Sequence, residues 1–172
     1  MLNPNKILKD DLPLIVLSTL SSGFIAMWIR WRTKASYSHI MTMLWPEEFV
    51  SQGNTFSTVP ISRYMIERSR LKFWKIKDLT GDETYLIYKR INTRLKLPWW
   101  KRLYNFPGIF GQMTGLKRIN SIFGFPYCSQ QVNRDVLDDI IEGVPDNPSP
   151  KDLNEFFKEH PRMEVYGRWA AD

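Results

Sequence analysis

Apolar residues fall along the chain in short blocks whose period switches between strand-like and helix-like spacing. Leu14-Ile15-Val16-Leu17 is a continuous apolar run and reads as a buried strand. The Ser18-Thr19 and Ser21-Ser22-Gly23 cluster that follows reads as a turn. From Gly23 to Lys34, Phe24, Met27, Trp28 and Trp31 recur at spacings of three and four, which predicts a helix. Ser38–Leu44 reads as a largely buried strand, Trp45-Pro46-Glu47 as a turn, and Glu48–Gln52 as a second short strand ended by Gly53-Asn54. Val59-Pro60-Ile61-Ser62 leads into a helical stretch around Arg63–Ser69, and Leu71–Ile76 alternates as a further strand. Thr84–Leu97 carries Leu86 or Ile87, then Ile91 and Leu95, at helical spacing. Trp99–Phe123 mixes aromatics with glycines and reads as a loop with a short helix. Tyr127–Val132 opens a helix running toward Ile141. After a proline-rich loop, Ser149-Pro150-Lys151-Asp152 is a helix start, with serine as N-cap and proline in the first turn. Met163–Tyr166 reads as a last strand.

This order of elements indicates an α+β protein. The length of 172 residues fits one domain, with residues 1–10 as a tail and residues 149–172 as a C-terminal helix and strand packing on the core. A competing reading takes Leu12–Ile29, eighteen residues without a charge, as a membrane helix with Trp28 and Trp31 at its edge. The serines, threonine and glycine in its centre favour the strand and turn instead, so integral membrane insertion is not expected. Asp10 and Asp11 before the run, with no small-residue cleavage site after it, argue against a signal peptide.

Charge divides the chain. Residues 1–134 hold 20 basic and 8 acidic side chains, a net of +12, and residues 135–172 hold 4 basic and 10 acidic ones, a net of −6. The basic part suits nucleic acid, anionic lipid or an anionic cell-wall polymer, or is a solvated surface. No base-reading motif accompanies it, so no specific nucleic-acid partner is expected.

Cysteine and histidine are scarce. Cys128 is the one thiol, so a disulfide-stapled secreted scaffold is excluded, and a reducing cytoplasm is favoured over disulfide-rich secretion. With His39 and His160 it makes three Cys/His ligands, one short of a zinc site built from those residues alone; no metal or cofactor is expected. Nucleophilic chemistry needs only one thiol and one imidazole. Cys128 at the first turn of a helix sits near backbone N–H groups that favour thiolate. His39 on a strand can take its proton and return it to a leaving group. A third polar side chain on the next strand would hold the other ring nitrogen; Gln52 is the natural candidate and Ser51 the fallback, since strand neighbours point to opposite faces. The bland alternative is a buried structural thiol and a satisfied strand histidine. His160, in Glu159-His160-Pro161, reads as a surface residue.

Residues 21–44, SSGFIAMWIRWRTKASYSHIMTML, resemble the opening of the permuted papain-like cysteine hydrolases, circularly permuted relatives of the NlpC-type cell-wall peptidases. Ser38-His39 matches their histidine strand, and Phe49-Val50-Ser51-Gln52-Gly53 the strand after it. Tyr104-Asn105-Phe106-Pro107-Gly108 resembles the segment before the nucleophile. Phe125–Val132 resembles the nucleophile block, usually Tyr-Cys-Ser-Glu-Leu-Val. The likeness covers roughly residues 10–166. The chain departs from the pattern at Gln130, where the family usually has Glu, at Asn105, and in the amide of Gln52.

The resemblance implies a small antiparallel sheet or half-barrel packed against helices. It implies a Cys128–His39 acyl-enzyme mechanism with Gln52 as third residue, and Tyr37, Ser38, Tyr127 and Ser129 around the substrate pocket. The implied substrate is an amide bond in peptidoglycan peptides, with lipid thioesterase or acyltransferase chemistry as a variant. A non-catalytic protein docked in a larger viral or cell-envelope assembly is the alternative from another class, since small members of this kind often look phage-derived.

Overall fold

A computed structural model describes residues 1–19, 36–53, 55–66, 69–103 and 127–171. Six strands are described: β1 (Leu14–Ser18), β2 (His39–Trp45), β3 (Glu48–Gln52), β4 (Phe56–Pro60), β5 (Arg70–Ile76) and β6 (Met163–Ala170). They form one open sheet in the order β4-β3-β2-β1-β5-β6, every neighbouring pair antiparallel. The protein is therefore α+β. β1 lies between β2 and β5, and all five of its residues are buried, which accounts for the unbroken apolar run. That placement removes residues 14–18 from any membrane helix. The remainder of the 12–29 run, and the helix expected over 23–34, lie outside the described residues apart from Leu12–Thr19. Among the described residues no helix is long and apolar enough to cross a membrane.

Two apolar layers cover the sheet. One face carries Ile15, Leu17, Ile40, Leu44, Val50, Trp74 and Ile76, packed against α1 (Gly81–Leu95), α2 (Cys128–Val132) and α3 (Pro150–Glu159). The other carries Leu14, Val16, Met41, Met43, Phe49, Leu71 and Phe73, covered by Ile7, Ile61 and Tyr64. Period-two alternation along each strand produces this division.

Local signals set the helix starts. Thr80 caps α1, its Oγ1 accepting from the Glu83 N–H at 3.2 Å while the Glu83 carboxylate accepts from the Thr80 N–H at 2.8 Å. This reciprocal cap begins α1 three residues before the apolar spacing does. Ser149 and Asp152 make the same arrangement at α3, with Pro150 as its first residue. The helix expected to run from 127 toward 141 passes from α2 into a π turn, Asn133–Leu137, and stops at Asp138, whose backbone leaves the helical region; Asp139 follows with φ 64°.

Three expectations are corrected. In place of the helical stretch expected around Arg63–Ser69, residues 61–63 form a 3-10 turn and the described residues 64–66 and 69 are not helical, because Phe56–Pro60 pairs with β3 as an edge strand and Pro60 closes it. β6 extends to Ala170, since β5 pairs with it throughout and a bulge absorbs the register shift near Phe73 and Trp74. Residues 1–10 are docked, not a tail. Ile7 is buried, the Leu2 N–H donates to the Arg168 carbonyl at 2.9 Å, and Leu2 lies where a Cβ on Gly167 would fall 2.9 Å from it. Just beyond, Lys75 Nζ and the Tyr166 hydroxyl both donate to the Asp11 carboxylate, at 3.0 and 2.8 Å. Ile7→Ala is accordingly expected to lower stability by about 2–4 kcal/mol in urea unfolding, where a loose tail would show no change.

Candidate active site

His39 opens β2 at the end of the sheet where β1 finishes and β5 begins, paired with Ser18. Its Nε2 is hydrogen-bonded to Ser51 Oγ at 2.8 Å, and Ser51 Oγ to the Tyr64 hydroxyl at 2.8 Å. The imidazole lies parallel to the Tyr64 ring, with centroids 5.9 Å apart and 3° between planes. The β2–β3 register explains the choice of partner. Thr42 pairs with Val50 and Met43 with Phe49, so Ser51 shares a face with Met41 and His39, whereas Gln52 faces the helices with Ile40. Ser51, not Gln52, therefore holds the ring. The Gln52 amide instead donates to the Arg102 carbonyl at 3.1 Å.

Burial governs the protonation of this chain of groups. It pulls the His39 imidazole down to about 4, so the ring is neutral near pH 7. It pushes the Tyr64 phenol up; the Ser51 bond and Arg63 oppose that, and the nearby Cys128 adds to it.

Cys128 is the first residue of α2, which packs on β2 and β3. Its side chain is 5 % exposed and belongs to the helix-side core with Ile40, Val50 and Phe56. A cavity of about 10 Å³ lies there, lined by Ile40, Gln52, Phe56, Cys128, Gln131 and Asp135. That is room for about one water. The side-chain oxygens of Gln52 and Gln131 are buried and accept no hydrogen bond from a described residue. Gln131 donates to Asp135, and Asp135 also takes Arg94 at 3.0 Å. Burial raises the Asp135 carboxyl, with Arg94 and Gln131 opposing.

The expected pocket residues have other surroundings. Ser129 is fully buried and donates to the Pro148 carbonyl, tying the start of α2 to the loop before α3. Tyr127 is buried in the interior. Ser38 is buried, with its N–H donating to the Ser18 carbonyl at 3.0 Å. Tyr37 is half-buried against the helix-side core. Gln130, in place of the family's Glu, still acts as a cap: its Oε1 accepts from the Tyr127 N–H at 3.4 Å and its amide donates to Asn147 Oδ1 at 2.7 Å. His160 is half-buried rather than on the surface; it ends α3 with Nδ1 accepting from the Arg162 N–H at 3.2 Å. Tyr104–Gly108 and Phe125-Pro126 lie outside the described residues.

Thus His39, Ser51 and Tyr64 come together on one face, and Cys128, Gln52, Gln131 and Asp135 on the other, at the same end of the sheet. Tyr64 has no sequence signal, since it follows a 3-10 turn whose fold onto β3 is a tertiary event. The i, i+4 spacing of Gln131 and Asp135 is a signal from which that pair could have been found. Among the described residues no group of three or more His, Cys, Asp or Glu side chains is placed to hold a metal ion. No protein-family model matches the chain, and no curated protein matches it.

Two outcomes follow. The His39 imidazole is held below its ordinary value, so its contribution to stability is complete above about pH 6.5 and is lost as pH falls toward about 4. Denaturation from pH 7 to 4 should lose roughly 2–3 kcal/mol through this group, and His39→Gln should flatten that part of the profile. In NMR titration, Ser51→Ala should shift the His39 ring signals and titration, and Gln52→Leu should leave them nearly unchanged.

Proposed function

We propose that this chain is a cysteine hydrolase of circularly permuted papain-like fold, acting on amide bonds, with peptidoglycan peptides as the substrate class. The observation that carries the reading is the Tyr64–Ser51–His39 hydrogen-bonded chain. It secures Nε2 of a histidine early in the chain and leaves Nδ1 for proton transfer. The thiol comes late, at the start of a helix packed on the histidine's own strand. The basic excess in residues 1–134 suits an anionic wall polymer.

In this mechanism Cys128 Sγ attacks the carbonyl carbon; because Cys128 and His39 lie on opposite faces of the sheet, the thiol proton reaches His39 Nδ1 past the end of β2, which His39 opens, and not through a direct hydrogen bond. The C–N bond breaks as the imidazolium returns that proton to the leaving amine. Water then attacks the thioester, His39 takes its proton, and the C–S bond breaks to restore the thiol. With Nδ1 as acceptor, Nε2–H donates to Ser51, whose hydroxyl donates on to Tyr64. Ser51 orients the ring but carries no charge to stabilise imidazolium. With the imidazole neutral at rest, turnover is slower than with a carboxylate in that place.

Cys128→Ala should abolish hydrolysis of wall peptides, and His39→Asn should reduce kcat by roughly 10²–10⁴-fold, measured by release of free amine. The acid limb of kcat/KM should fall near pH 4, where the His39 imidazole protonates, rather than near 6.5. The burial of Cys128 within the core favours a second reading, a structural thiol in a non-catalytic protein. Slow iodoacetamide labelling at neutral pH, with wall peptides and acyl esters both uncleaved by the wild type, would establish that reading and overturn the first.

A further inference from the structure

Lys72 is a lysine on the inside of the sheet, 4 % exposed. Its Nζ donates to Asn154 Oδ1 at 3.1 Å and stands 4.0 Å from the centroid of a Trp74 ring. Among the described residues no carboxylate is bonded to it. Buried lysines are rarely left without a counter-charge. Here the surroundings add positive charge. Arg168 is its direct partner on β6, and Arg70 lies two residues back on the same face of β5. Burial, joined by the fields of Arg168 and of Lys158 on α3, holds its ammonium down to about 8. The fields of Arg168, Arg70 and Lys158 also meet at Tyr37. Glu155 is the carboxylate whose field reaches Lys72, and Lys158 already engages it at 2.6 Å. Arg70, Arg168 and Lys158 are exposed, so a solute can reach them.

We infer that this end of the sheet is a binding site for a phosphoryl oxyanion, held by Arg70, Arg168 and Lys158, with Lys72 supplying positive potential from beneath. Like charges gathered round a desolvated ammonium repel one another, and an anion among them reverses the sign of that energy. Two guanidinium forks and an ammonium offer donors in several directions. A phosphoryl group, with up to two charges and three acceptor oxygens, uses them more fully than a carboxylate with one charge and two oxygens. Lys72 shares its row of the sheet with Leu17 and Ile40, and Ile40 lines the cavity beside Cys128. Two strand spacings, ~10 Å, separate the Lys72 and Ile40 strands. On the hydrolase reading, and resting on it, the site holds a phosphoryl group carried by the acyl substrate.

The test is calorimetric titration of the full chain with inorganic phosphate, at ionic strength held constant with chloride. Saturable binding is expected, weakened at least tenfold by Arg168→Gln and by Arg70→Gln, both surface changes, and unaltered by Lys6→Gln. Lys72→Met, checked for folding by circular dichroism, should weaken it in the same direction. Cys128→Ala should bind phosphate as the wild type does, so failure of the site and failure of the catalytic reading are separable. Glycerol phosphate and phosphatidic acid vesicles, against phosphatidylcholine vesicles, distinguish a soluble from a lipid source of the same group. Heats no larger than those of chloride, or arginine variants with wild-type affinity, would overturn the proposal.

Discussion

Alternation along β2, with both faces of the strand covered, is the constraint on which the rest of the structure depends. Ile40, Thr42 and Leu44 face the helices, and His39, Met41 and Met43 face the layer that includes Ile7, Ile61 and Tyr64. A one-residue slip against β3 would exchange Ser51 and Gln52 and bury the wrong set of side chains on each face. The register thus decides two things together, the identity of the group that orients His39 and the separation of two apolar layers. Because both layers depend on it, the position of Ser51 is held by far more than its own hydrogen bonds.

The same covering sets the electrostatics. Removing groups from water disfavours their charged forms, so His39 and Lys72 are both shifted toward neutrality, while Tyr64 is held more firmly as the phenol. For His39 this yields a neutral ring at neutral pH, suited to accepting a proton within a reaction and not to storing one beforehand. For Lys72 the desolvation is joined by neighbouring cations, which makes an anion the natural complement. The two sites lie at one end of the sheet, on strands β2 and β5 flanking β1, yet their protonation is governed by separate neighbours.

Much of the local structure was legible in the residues. The apolar run of β1, the spacing of Ile87 and Ile91 on α1, and the Ser149-Pro150 start of α3 each express a short-range rule, and each element is present. The elements misread from the residues were those shaped by pairing. β4 contains Ser57, Thr58 and Pro60 and becomes a strand only because β3 presents it with an edge. The N-terminal residues become part of the fold because the face of β5 and β6 offers apolar cover to Leu2 and Ile7. Ser51 and Gln52 were both visible as polar neighbours on the strand after His39; the face each takes was not.

The sequence by itself determined the apolar run of β1, the helical spacing on α1, the cap of α3, and the order of a histidine strand early and a cysteine helix late. These depend on residues within a few positions of one another, where spacing and chemistry are sufficient. Only the tertiary structure decided that Ser51 and Tyr64 stand behind His39, that Cys128 meets Gln131 and Asp135, and that Arg70, Lys72 and Arg168 share one face of paired strands. Those groupings join residues on different strands and helices, and strand register and helix docking, set by burial of both faces of the sheet, are what bring them together.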